Sequence, residues 1–194
     1  MQNNMNGHAL IPLIAAIAYV PLFIVLLFNR PWHKQHKLLF WYLIPAILWS
    51  LTDFVSRSDF FASYRLILVK IVLALAFWMG IQFLYVIRYF SKAQFVKPYI
   101  AYSFLALVIV LEILGYVPLD VQFGTDTIHV QYGPWYIGLS FLLFFFVSGD
   151  LYFLFRRLIS TRNIEERNQI TYLLTGVTVL LVTAIISFAP GGGH

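Results

Sequence analysis

The chain has 194 residues, of which 61% are hydrophobic, 19% aromatic and only 11% charged. A soluble domain carries about 25% charged residues, so this composition cannot cover the surface of a soluble fold. The formal net charge of +5 comes from basic residues in short segments between apolar blocks. Charge in such positions indicates membrane topology rather than nucleic-acid binding. The absence of cysteine excludes disulfides, thiolate nucleophiles and cysteine metal ligands.

Six apolar blocks follow one another, and each is predicted to form a helix because backbone groups in lipid must be satisfied within their own segment. The polar N-terminus lacks the Lys and Arg of a signal peptide, so the first block is predicted to be a retained helix. The sequence therefore predicts an all-α membrane protein, one domain over residues 1–194 with about six transmembrane helices. The blocks run over about Ala9–Phe28, Leu38–Thr52, Leu66–Ile87, Tyr99–Val117, Trp135–Phe155 and Ile170–Ala189.

The segment between the fourth and fifth blocks is the one part of the chain with strand character. Val121–Phe123 and Ile128–Tyr132 flank the turn-forming residues Gly124–Thr127, a pattern that predicts a small extracytoplasmic β-hairpin. Pro134 follows at a position typical of the first turn of a helix.

Basic residues predict the orientation of the chain. Ten of the 13 Lys and Arg residues lie in alternate connections between blocks. The positive-inside rule places these connections in the cytoplasm and the N-terminus outside, in the cytoplasmic (inner) membrane. The ten residues are Arg30, Lys34, Lys37, Arg88, Lys92, Lys97, Arg156, Arg157, Arg162 and Arg167.

The last polar connection and the C-terminus carry further local signals. Asn163 or Thr161 is predicted to cap an extension of the sixth helix, through Glu165 or Glu166. The C-terminal segment Pro190–His194 is glycine-rich, which is typical of a turn between helices. The sequence thus predicts a chain that continues into a further helix or meets one from a partner subunit. The alternative is a small native protein with a flexible tail.

Ionisable side chains at membrane depth are costly and are therefore the best functional leads. Asp53, Lys70 and Glu112 fall in the outer third of their helices and are expected to approach one another beneath the outer loop. We predict that they form a pocket for a small polar or amphipathic ligand from outside. Its aromatic walls are expected to come from Trp49, Tyr132, Trp135 and Tyr136. The alternative is an interfacial arrangement, in which Lys70 extends to water and the aromatic residues form an ordinary belt.

Asp150 lies near the other side of the membrane, in the fifth block. The expected role is a structural ion pair with Arg156, Arg157 or Arg88. A proton pathway is not predicted, because the sequence has no acid at intermediate depth between Asp150 and Glu112.

Enzyme and cofactor motifs are absent from the sequence. There is no phosphate-binding loop, dinucleotide fingerprint or triad-like order of serine, histidine and acid. His33 and His36 are spaced for one helix face, but two ligands without a carboxylate do not define a metal site. The sequence therefore predicts no catalytic activity in this chain, no metal, no cofactor and no nucleic-acid partner.

Three short motifs resemble the seven-helix N-terminal sensor region of bacterial histidine kinases. The first is Leu39-Phe40 with Leu48-Trp49-Ser50-Leu51 in the second block. The second is Tyr132-Gly133-Pro134-Trp135-Tyr136 at the entry to the fifth. The third is Arg167-Asn168-Gln169 followed by Leu173-Leu174 and Gly176. The resemblance covers the chain from about Leu38 to Phe188 and implies a cytoplasmic output module of a two-component system. This sequence contains no seventh helix, phospho-acceptor region or ATP-binding domain, so any kinase activity would lie in residues beyond it.

The expected function is that of a membrane sensor. An extracytoplasmic or membrane stimulus would change helix packing, and a signalling output outside this chain would receive that change. The expected partners are the lipid bilayer, a small-molecule ligand from outside, and a further helix, output domain or partner subunit. The alternative is an anchoring subunit of a larger transport or energy-converting membrane complex.

Overall fold

The computed structural model describes residues 7–28, 31, 33–57, 63–92, 97–118, 120–123 and 128–188. These residues form six α-helices, as the six apolar blocks predict, and two short strands. The glycine-rich C-terminal segment and the predicted turn at 124–127 lie outside the described residues. The elements are α1 (Gly7–Phe28), α2 (Lys34–Arg57), α3 (Arg65–Ser91), α4 (Pro98–Ile113), β1 (Asp120–Phe123), β2 (Ile128–Gln131), α5 (Pro134–Ser160) and α6 (Ile164–Phe188).

Four of the described helices, α1, α2, α3 and α5, are long and apolar enough to cross a membrane. Helix α4 is apolar but has 16 residues, which at about 1.5 Å per residue falls short of a hydrocarbon core about 30 Å thick. Helix α6 is not among the four, and its side chains from residue 179 onward lie outside the described part of the chain. Over the described residues, length and composition therefore support four of the six predicted crossings.

Large apolar side chains cover the outside of the bundle. Ile11, Phe28, Phe141 and Phe145 are each more exposed than 60%. In water such a surface would be strongly unfavourable, whereas in lipid it meets a solvent of its own polarity. The exposed surface and the four long helices identify a membrane-embedded protein.

Helix α3 lies at the centre, packed against α2, α4 and α5. One core cluster joins α3, α4 and α5 around the buried side chains of Phe77, Val108 and Leu139. A second joins α3, α5 and α6 around three fully buried residues, Ile87, Leu154 and Ile170. Helix α3 therefore carries packing contacts from one end of the bundle to the other.

Two helix starts follow the local sequence signals. Pro134 occupies the first turn of α5 after the extended residue Gly133. The Asn163 side chain accepts hydrogen bonds from the backbone N–H groups of Glu165 (2.9 Å) and Glu166 (3.5 Å). Both predictions are confirmed, with Asn163 rather than Thr161 as the capping residue, because a short polar side chain satisfies amides that the helix leaves free.

Strands β1 and β2 pair antiparallel between α4 and α5. The register sets Asp120 opposite Gln131 and Phe123 opposite Ile128. We use the name "hairpin end" for the end of the bundle that holds these strands and the last turns of α2 and α4. The opposite end, which holds the last turns of α3 and α5 and the first turn of α6, is called the basic end.

Candidate functional site

Lys70 and Glu112 meet at the hairpin end, between α3 and α4. The Lys70 ammonium donates a 2.7 Å hydrogen bond to the backbone carbonyl of Glu112. The same carbonyl accepts from the N–H of Gly115, which has a φ of 81°, and the N–H of Tyr116 reaches the carbonyl of Leu111. This pair of bonds is a Schellman C-terminus. Lys70 therefore places a positive charge on the negative end of the α4 dipole.

The Glu112 carboxyl group is buried next to this contact. The residue is 4% exposed, and its Oε1 atom has no hydrogen-bond partner among the described residues. Lys70 binds the Glu112 backbone, and among the described residues no ion pair joins it to the Glu112 carboxyl group. A buried polar atom without a partner costs about 1–3 kcal/mol, so it marks a position where a hydrogen-bonding ligand would be favoured.

A groove of about 400 Å³ runs along the α3–α4 interface. Its edges include the exposed isoleucines Ile71 and Ile113, so it opens sideways towards lipid. At its far end lies Trp78, whose indole N–H is also buried, with no hydrogen-bond partner in the described part of the chain. The groove is lined by Ile67, Lys70, Ile71, Ala74, Leu75, Trp78, Leu105, Ile109, Glu112 and Ile113.

The polar contacts between α3 and α4 continue deeper in the bundle. The Gln82 side chain donates a 2.8 Å hydrogen bond to the Tyr102 hydroxyl. Gln82 is 3% exposed, so a buried amide is satisfied across the interface. Together with the Lys70 contact, this bond fixes the relative position of the two helices at two levels.

Asp53 belongs to a different interaction. Its carboxylate accepts from the Arg57 Nε atom at 3.0 Å to each oxygen, one helical turn along α2. Asp53 is 9% exposed while the Arg57 side chain is 46% exposed. Asp53 therefore has its charged partner within α2, four residues further on, and it is not among the residues that line the α3–α4 groove.

The predicted aromatic walls do not line the groove. Tyr132 and Tyr136 stack on each other with ring centroids 4.2 Å apart, and Tyr136 packs against Phe77 in the core. Trp135 is exposed and Trp49 is half-buried. Burial, and to a lesser degree Tyr136, raises the pKa of Tyr132, so its phenol stays protonated at neutral pH. Trp78 is the aromatic residue of the groove instead.

The sequence analysis missed Trp78, although a signal for it exists. Lys70, Ala74 and Trp78 follow one another at four-residue intervals, which places them on one face of a helix. A tryptophan in an apolar block counts as hydrophobic, because the indole N–H is its one polar group. Only the packing against α4 shows that this N–H lacks a partner.

The basic end carries two ion-pair systems. Arg88 on α3 donates from Nε to Asp150 on α5 at 2.7 Å, and both side chains are nearly buried. This confirms the predicted ion pair of Asp150, with Arg88 as the partner. Glu166 on α6 binds Arg157 on α5 at 2.9 Å and Lys92 at the end of α3 at 3.2 Å. Three helices are thus joined at this end.

Metal binding finds no support in the described part of the chain. Its residues include no group of three or more His, Cys, Asp or Glu placed to hold an ion. His33 and His36 lie with ring centroids 5.6 Å apart, edge to face. A two-residue contact of this kind packs rings together and does not build a coordination shell.

Comparison of the chain with protein-family models, curated proteins and solved structures returns no match. The resemblance to the kinase sensor region therefore stays a prediction from three short motifs. Inferences about function depend on the α3–α4 groove and the ion pairs at the basic end.

Proposed function

We propose that this chain is the signal-receiving part of a membrane sensor. An amphipathic molecule enters the α3–α4 groove from the membrane or the extracytoplasmic side, and the bundle responds by repacking its helices. The output lies outside this chain, in a further helix, an output domain or a partner subunit. The ligand carries a polar group that exchanges hydrogen bonds with Glu112.

One observation carries this proposal: a buried carboxyl oxygen of Glu112, without a hydrogen-bond partner among the residues that the structure describes, lies next to a lysine that caps α4. A ligand hydroxyl or amine would satisfy Oε1 of Glu112 and compete with the adjacent Lys70 contact. Because Lys70 holds the end of α4, weakening that contact would favour a second position of α4. A ligand that binds one arrangement better shifts the population towards it.

Helix α3 supplies a physical route to the other end of the bundle. Lys70 and Arg88 are 18 positions apart on this helix, about 27 Å at 1.5 Å per residue. Arg88 pairs with α5, and Lys92 at the end of α3 pairs with α6. A displacement of α3 against α4 would therefore reach the contacts that orient α5 and α6.

The test measures helix positions at the basic end after a change at the hairpin end. The chain has no cysteine, so two introduced cysteines can carry the only spin labels. Tyr99→Cys on α4 and Tyr172→Cys on α6 are exposed positions. Double electron–electron resonance then measures the distance between the two labels. Lys70→Met removes the α4 cap. The proposal expects a shifted or newly bimodal distance distribution in lipid nanodiscs.

The matched control is Arg57→Met, which removes a cation at the same end whose ion pair lies within α2. Its distribution should match that of the unsubstituted chain. Identical distributions for Lys70→Met and the unsubstituted chain would contradict the relay. They would favour the alternative function, a rigid anchoring subunit of a larger complex.

A further inference from the structure

A narrow apolar cleft opens between α3, α4 and α5 on the half of the bundle towards the basic end. It has a volume of about 280 Å³ and is lined almost entirely by carbon. On α3 its lining residues are Ile81, Leu84, Tyr85 and Arg88. Their spacing follows one helical stripe over about 10 Å, so the cleft runs along the helix axis. Arg88 is the residue nearest the basic end on that stripe.

A second, polar cavity of about 490 Å³ lies between the ends of α3 and α5. Arg88 lines this cavity as well, so the apolar cleft and the polar cavity meet at one side chain. The other charged lining residues are Lys92, Asp150, Arg156 and Arg157. The cavity therefore places four cations and one carboxylate around a common space.

The cations exceed the acids that neutralise them. Asp150 balances Arg88, and Glu166 is shared by Lys92 and Arg157. Arg156 is exposed, and in the described part of the chain no carboxylate lies within ion-pair distance of it. The four cations of the cavity carry a charge of +4, and the Asp150 and Glu166 carboxylates neutralise two of these charges. A net charge of +2 therefore remains to attract an anion. Basic pockets between membrane helices on the cytoplasmic side are typical sites for phosphate-bearing lipid head groups.

We propose that the joined cleft and cavity bind one anionic phospholipid of the leaflet that faces the basic end. The head-group phosphate lies among Lys92, Arg156 and Arg157, and an acyl chain lies in the cleft above Arg88. The apolar cleft is the reason to choose a lipid over a free phosphate ion, because a free anion would gain nothing from a carbon-lined extension. This site is separate from the α3–α4 groove and does not depend on the proposed sensor function.

The experiment counts lipid retained by the purified full chain. Protein is transferred from nanodiscs of phosphatidylcholine with a minor fraction of phosphatidylglycerol, and bound lipids are counted by native mass spectrometry. The proposal expects one phosphatidylglycerol per chain in excess over phosphatidylcholine. Arg156→Gln should weaken this preference about fivefold, since an exposed cation paired directly with the phosphate contributes up to about 1 kcal/mol. Arg162→Gln, an exposed change in the same basic region outside the cavity, is the matched control and should have no effect.

The acyl-chain part is tested by filling the cleft. Ala101 lines the cleft, whereas Ala106 on the same helix is exposed and outside its lining. Ala101→Phe should lower phosphatidylglycerol retention with all cations in place, and Ala106→Phe should not. A parallel series with sodium phosphate alone follows the thermal unfolding midpoint. A free-anion site would replace the lipid site under two combined results. Phosphate would raise the unfolding midpoint equally with and without Ala101→Phe, and the chain would retain no excess of phosphatidylglycerol. No preference for either anion would overturn the proposal entirely.

Discussion

Single residues at the hairpin end differ in how their polar atoms are satisfied. Asp53 is balanced by Arg57, Lys70 binds the end of α4, and one Glu112 oxygen has no hydrogen-bond partner within the described ranges. Buried polar groups normally find partners, so the Glu112 oxygen is an exception with a testable meaning. In the sequence all three are ionisable residues at membrane depth. Only their partners in the structure distinguish a structural role from a candidate binding role.

Arg57→Met is predicted to lower the free energy of unfolding by about 1 kcal/mol, because a nearly buried Asp53 carboxylate loses its charged donor. The exposure of Arg57 keeps the effect small. Unfolding in mixed detergent measures the change. Adding Asp53→Asn to Arg57→Met should recover most of the loss, since the uncompensated charge is then gone. A double variant less stable than Arg57→Met would contradict this account.

Ser50→Ala is predicted to leave stability unchanged within about 0.5 kcal/mol or to raise it. The Ser50 side chain is fully buried in α2, and its hydroxyl has no hydrogen-bond partner among the described residues. Removing an unsatisfied hydroxyl removes a desolvation cost and leaves only a very small void. The same unfolding assay applies. A loss above about 1 kcal/mol would mean that the hydroxyl has a partner in the native membrane.

At the scale of elements, Gly80 on α3 lies in close contact with Leu143 on α5. A Cβ atom built there would lie 2.9 Å from a terminal methyl group of Leu143. Gly80→Leu is therefore predicted to cost about 1–3 kcal/mol through overpacking. Gly149→Leu on α5 is the matched control, because nothing lies within 4 Å of its Cβ position. Equal stability of the two variants, measured by unfolding in detergent, would exclude a tight contact at Gly80.

The contact of α6 with α3 and α5 is predicted to weaken in acid. Hydrogen bonds from Arg157 first, and then from Lys92 and Thr161, hold the pKa of Glu166 below its usual range. Because the folded pKa lies below the unfolded one, this stabilisation is present at neutral pH and is lost as pH falls through the folded value. Glu166→Gln should therefore lower the thermal midpoint at neutral pH, and the gap between the two midpoints should close as the pH falls below the usual titration range of a glutamate.

Glu165→Gln is the control for this titration. Glu165 is exposed and forms no ion pair with another described residue. Its variant should track the unsubstituted chain at every pH. A gap for Glu166→Gln that stays constant down to acid would show that the ion pairs do not stabilise the junction.

For the whole molecule, the orientation in the membrane is predicted from charge alone. The connection with Arg156, Arg157, Arg162 and Arg167 is expected in the cytoplasm. A reporter active only in the cytoplasm should give signal when fused within 156–167, and none when fused within 120–133. The reverse pattern would invert the assignment of both ends, including the leaflet that supplies the proposed phospholipid.

Much of the fold was predictable because it depends on local properties. Long apolar blocks require helices in lipid, and Pro134 and Asn163 mark helix starts through the geometry of their own residues. Helix α2 extends past the second block to Arg57, and the Asp53–Arg57 pair stabilises its last turn. The candidate site was predictable only in part, because Lys70 and Glu112 come together whereas Asp53 and the four aromatic residues lie elsewhere.

The sequence by itself determined that this protein is embedded in lipid, because that follows from residue type. It also determined the depth of the polar residues along their helices, because that follows from distance along a helix. The tertiary structure decided which polar groups meet: Lys70 with the backbone of Glu112, Arg88 with Asp150, and Glu166 with two cations. These choices depend on how each helix is rotated about its axis. That rotation is fixed by side-chain packing between helices, and a hydrophobic pattern that is apolar on all sides does not specify it.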